Sequence, residues 1–112
     1  MKYYDEDRMS EVRKALEAKV MKWPGVAGRE MMGCLCYFRG SKFFAFLVTD
    51  GIVITKLSET DRTRLADVFT SKPFEMAGKT SRSWVTLKLT KASEVPRILP
   101  YIRTSYEAAS DR

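Results

Sequence analysis

The run Gly33–Lys56, GCLCYFRGSKFFAFLVTDGIVITK, constrains this chain more than any other part of it. It reads as three short β-rich stretches separated by two tight-turn signals, Arg39-Gly40-Ser41-Lys42 and Thr49-Asp50-Gly51-Ile52. An antiparallel meander follows. If both loops are two residues long, Arg39 faces Lys42 and Thr49 faces Ile52, and period-two alternation then assigns each side chain to a face. One face is expected to carry Leu35, Tyr37, Phe44, Phe46, Val48, Val53 and Leu57, with Arg39 and Lys42 at its turn end. The other is expected to carry Cys34, Cys36, Phe38, Phe43, Ala45, Leu47, Ile52 and Ile54, with Lys56 at its far edge. Both faces are apolar, so both demand cover.

The flanking segments supply helices. From Asp5 to Trp23 the apolar residues Met9, Val12, Leu16, Val20 and Trp23 recur in steps of three and four, one stripe of an amphipathic helix that cannot continue past Pro24-Gly25. Val26–Met32 then reads as a connection. Ser58 has capping chemistry and precedes a short helix over Glu59–Val68. Lys72-Pro73-Phe74 reads as a turn or short extended piece, Gly78–Ser81 as a loop, and Arg82–Leu89 as a fourth strand with Val85, Leu87 and Leu89 on one side and Trp84 on the other. The stripe Val95, Ile98, Leu99, Ile102, Tyr106 and Ala109 predicts a helix within Ala92–Ala109 that bends or restarts at Pro100. The expected architecture is an α+β two-layer sandwich, an antiparallel meander sheet with helices packed mainly on one face.

At 112 residues the chain has room for one hydrophobic core, and a single domain over 1–112 is expected. Hydrophobic residues at 45% and charged residues at 30% exclude the disordered and fibrous classes. Twenty Lys and Arg against fourteen Asp and Glu give a net charge of +6, which favours acidic partners. The N-terminal segment has neither a signal-peptide nor a transit-peptide pattern, and no stretch is long enough to span a bilayer, so a cytoplasmic protein without a membrane partner is expected. Cys34 and Cys36 are then thiols.

Several short motifs occur in order along the chain: Met31-Met32-Gly33, Gly40-Ser41-Lys42-Phe43-Phe44-Ala45, Asp50-Gly51 leading into Thr55-Lys56, Pro73-Phe74, Trp84-Val85 and Ser105-Tyr106-Glu107. Together they resemble the TfoX N-terminal domain family and are similar to the related MmcQ/YjbR proteins, over nearly the whole chain. Met32 stands where that family often has Phe, and Cys34 and Cys36 where it often has Gly. The resemblance implies a small α+β domain associated with competence regulation and DNA binding. It implies no established reaction.

The residues themselves favour binding over catalysis. Cys34 and Cys36 project to one face of a strand, but a zinc site needs three or four ligands, and the chain has no His and no third Cys. An i, i+2 pair in an extended strand is also poorly placed for a disulfide, so packing against helices is the favoured role for both. There is no His for general-base work, no Gly-rich phosphate loop and no nucleophile elbow, while Glu30, Glu59 and Glu75 are scattered. Neither an enzyme nor a cofactor, metal or small-molecule substrate is expected.

The small Cys and Ala positions nominate one face for helix cover and leave the aromatic face to something else. Three covers compete: the segment Leu57–Phe74, a second copy of the chain, or nucleic-acid bases stacked on the rings. The candidate interface residues are Leu35, Tyr37, Phe44, Phe46 and Val53. The candidate nucleic-acid contacts are Arg39, Lys42, Arg82 and Lys88. The expected function is a non-enzymatic binding or regulatory module associated with DNA or transcriptional regulation. A homodimer is the expected state of that module, with nucleic acid as a further partner, and the alternative function is a homodimerisation domain that uses the aromatic face without nucleic acid.

Overall fold

A computed structural model describes residues 4–31, 33–69, 71–76 and 79–109, except the side chains of 75, 76 and 79–82. Chain order is α1 (Glu6–Val20), β1 (Val26–Met31), β2 (Cys34–Arg39), β3 (Lys42–Val48), β4 (Gly51–Ile54), α2 (Glu59–Val68), β5 (Ser71–Met76), β6 (Lys79–Lys88), a 3₁₀ turn (Ala92–Glu94) and α3 (Val95–Ala108). The strands make one antiparallel sheet in the order β1-β2-β3-β4-β6-β5. The main core joins helix side chains to one face of that sheet, and the second cluster is built from strand residues alone. The fold is therefore α+β with the helices on one face.

Local chemistry accounts for the helices. Asp5 caps α1 by accepting a hydrogen bond from the Asp7 amide at 3.0 Å, and the stripe Met9, Val12, Leu16 and Val20 is fully buried. Ser58 caps α2 from the Asp61 amide at 3.1 Å, and Leu65 anchors that helix in the core. Pro96 occupies the first turn of α3, and the helix runs unbroken through Pro100. The expected restart at Pro100 is therefore not seen. The stripe Val95, Ile98, Ile102 and Tyr106 buries against β3 and β4, and that packing outweighs the one backbone bond a proline removes.

The sheet has two strands beyond the four expected. Val26–Met31 is the edge strand β1, not a connection, and Ala27 to Glu30 along it are exposed. Ser71–Met76 is the opposite edge, β5, where Pro73 is tolerated beside a register shift at Pro73/Phe74. Its partner β6 starts at Lys79, inside the segment read as a loop.

Two departures in register have opposite consequences. The β3–β4 loop is Thr49-Asp50, with Asp50 in the left-handed region at φ 60°, so Val48 pairs with Gly51. The expected pairing was Thr49 with Ile52. That shift moves partners by two and leaves every face assignment intact. The β2–β3 hairpin begins as expected with Arg39 opposite Lys42 and Phe38 opposite Phe43, but then Tyr37 pairs with Ala45 and Cys36 with Phe46. A β-bulge at Phe44 inserts one residue, so β2, Phe43 and Phe44 lie on faces opposite to those expected relative to Ala45–Val48 and β4.

Candidate functional site

The bulge divides the expected aromatic interface. Leu35, Tyr37 and Phe44 lie on the helix side, where Tyr37 and Phe44 are fully buried in the main core. They cannot meet a partner. Phe46 and Val53 lie on the opposite face with Cys34, Cys36, Phe38, Phe43, Phe74 and Trp84. The cysteines therefore do not pack against helices, contrary to expectation; they sit under the aromatic cluster of the helix-free face.

That face is covered largely by its own rings. Phe74 of β5 stands edge-on to Phe46 at 5.1 Å, and Trp84 of β6 contacts Phe43 at 5.4 Å and Phe46 at 5.8 Å. Phe74 belongs to the Leu57–Phe74 segment that was one of the three candidate covers. Arg29 of β1 adds its guanidinium over the Phe38 ring at 4.3 Å. Burial pushes the Cys34 thiol up to about 11, with Cys36 adding to the shift, and burial also raises Cys36 against the pull of Arg29. Both stay protonated at neutral pH and are poor nucleophiles and ligands. Among the described residues, no group of three or more His, Cys, Asp or Glu is placed to hold a metal ion.

On the helix side, the buried Tyr37 hydroxyl donates to Glu17 at 2.9 Å. The network continues through Glu17–Arg13 at 3.1 Å and Arg13–Glu6 at 2.8 Å to the Tyr4 hydroxyl. Burial and then Glu17 hold the Tyr37 proton on far above the usual phenol range, so this is a fixed donor and a structural tie.

The four candidate nucleic-acid contacts do not form one patch. Arg39 and Lys42 pair at one end of the hairpin, whereas Lys88 pairs with Gly51 at the other end. The seven-residue strand between the two ends spans about 20 Å. The Arg82 side chain lies outside the described residues. Arg39 is only partly free, because its guanidinium stacks on Tyr106 at 4.3 Å and donates to the Tyr106 carbonyl at 3.2 Å.

Around Tyr106 the fold assembles a group the sequence reading missed. Arg103 stacks on the same ring at 4.9 Å and on Trp23 at 5.0 Å, while the Tyr106 hydroxyl donates to the Pro24 carbonyl at 2.6 Å. Arg103 pairs loosely with Glu107 at 3.8 Å and keeps 44% of its side-chain surface exposed, and Lys42 is exposed beside Arg39. Arg103 precedes Tyr106 by three residues, a helical spacing visible in the sequence. Its convergence with Arg39 is tertiary.

Comparison with protein-family models, curated proteins and solved structures finds no match to this chain. No helix among the described residues is long and apolar enough to cross a membrane.

Proposed function

We propose that the chain is a non-enzymatic binding module of nucleic-acid-associated regulation that holds phosphates at its basic end. One observation carries the reading: two guanidiniums, Arg39 and Arg103, are pre-positioned on the single ring of Tyr106 with Lys42 beside them. Stacked guanidiniums keep their charge and lose little side-chain freedom on meeting an anion. The net charge of +6 supplies the long-range attraction. Such contacts address the phosphate backbone and read no bases.

The test is fluorescence anisotropy with labelled single- and double-stranded DNA across a salt series. With these three cations on phosphate, log affinity for the duplex falls with log salt at a slope of about −0.9 per contact, and Lys42→Glu weakens every sequence alike. Absence of binding at low salt, or binding indifferent to salt, overturns the reading.

A second reading, self-association through the helix-free face, is favoured by Phe43 and Trp84, which keep part of their surface exposed there. Phe46 and Val53 are already buried within the chain, so a partner copy would cover only the outer rings. Sedimentation equilibrium decides it: a monomer at high micromolar concentration removes this reading, and a dimer broken by Trp84→Lys supports it.

A further inference from the structure

At the corner of the helix-free face farthest from Arg39 and Lys42, β4, β5 and β6 enclose a groove of about 630 Å³. Its apolar wall is Val48 and Phe74. Gly51 leaves the floor low: a Cβ there would meet the Leu87 carbonyl at 3.0 Å and the Val48 side chain at 3.3 Å. Lys72 lies directly opposite Thr86, and Lys88 is two residues further along the same strand and face. By strand geometry the two lysines are diagonal neighbours, about 7–8 Å apart and somewhat closer at their first side-chain carbons. Both are exposed, and neither has an ion-pair partner among the described residues. Asp50, the one acid among the described lining residues, is paired with Arg8 at 2.7 Å. Among the described residues, the groove thus presents two ammonium groups without an ion-pair partner and the Thr86 hydroxyl beside an apolar wall.

We infer that this groove binds a small organic anion, its carboxylate or phosphate head between Lys72 and Lys88 and its apolar body on Val48 and Phe74. The volume suits a ligand of that size, and ligand sites characteristically combine an apolar lining with few convergent polar groups. Two like charges that neighbour one another on one sheet face repel until an anion sits between them, and that anion must bring an apolar portion to displace water from Val48 and Phe74. The site is independent of the basic end around Tyr106.

The experiment is titration of the ¹⁵N-labelled full chain, followed by amide shifts, with hexanoate, hexyl phosphate, inorganic phosphate and hexanol. At least one of the two amphiphilic anions is expected to saturate with shifts centred on Gly51, Thr86 and Leu87, and the tighter of them identifies the head group. Hexanol and inorganic phosphate are expected to bind roughly tenfold more weakly, as is the better anion to either Lys72→Ala or Lys88→Ala, which remove exposed charges and leave the fold intact. The inference is overturned if neither anion saturates or if inorganic phosphate or hexanol binds as tightly as the amphiphile. Unchanged affinity in the Lys72→Ala/Lys88→Ala double variant overturns it equally.

Discussion

The hydroxyl of Ser105, wholly buried on α3, donates a 2.6 Å hydrogen bond to the carbonyl oxygen of Phe44, the bulged residue of β3. The same hydroxyl accepts the Lys56 amide at 3.0 Å, and the Phe44 carbonyl also accepts the Thr55 amide at 3.2 Å. Inserting a residue into a strand takes backbone groups off the ladder, and here a helix side chain and the residue after β4 satisfy the Phe44 carbonyl.

Ser105→Ala is therefore expected to destabilise the fold by about 1–3 kcal/mol, since the part-buried Lys56 amide loses its partner and the Phe44 carbonyl one of its two. Urea unfolding measures it. A change within the scatter of surface substitutions would show that the bulge holds without α3.

Gly28→Val should also destabilise, although valine suits a strand and the position is exposed. A Cβ at Gly28 would come within 3.2 Å of the Tyr37 ring, which is buried and held by Glu17 and cannot move aside freely. About 1–3 kcal/mol is expected from such crowding. A stabilised variant in thermal unfolding would contradict the close fit of Gly28 over Tyr37.

The Arg13 guanidinium, then the Tyr4 hydroxyl, holds the Glu6 carboxyl below its ordinary 4.5. A depressed folded-state value adds stability that is present above the unfolded value and is lost as pH falls through the folded one. The native chain is thus expected to lose stability as pH drops below about 4.5, and the gap to Arg13→Ala should narrow over that window. Urea midpoints across an acid pH series check it; a constant gap counts against the pair.

Cys34 and Cys36 are each 1% exposed, and burial keeps both protonated, so neither should react with an aromatic disulfide reagent near neutral pH until the chain unfolds. The labelling rate of the folded protein should track global or local opening and rise with denaturant. Immediate modification of either thiol in native buffer would place that cysteine at the surface.

Helices were legible wherever periodicity and capping agreed, as in α2, whose bounds follow from Ser58 and the spacing to Leu65. The bulge was not, because Phe43, Phe44, Ala45 and Phe46 form an uninterrupted apolar run. No polar residue marks where alternation slips. The edge strands were hidden for the opposite reason: β1 carries Gly28, Arg29 and Glu30 and β5 carries Pro73, residues that edges accept and propensity discounts. Lys88 was singled out from sequence, but its relation to Lys72 depends on the β5–β6 register.

The two departures in the meander also predict how this hairpin tolerates changes of length. Adding or removing two residues at the Thr49-Asp50 loop preserves which side chains face the helices, as the observed two-residue shift already does. Removing one residue from the Phe43–Ala45 run would turn β2 and β1 over against the rest of the sheet. It would bring Arg29, Cys36 and Phe38 beneath the helices and expel Tyr37, so at Phe44 a one-residue deletion should damage this protein more than any single side-chain replacement.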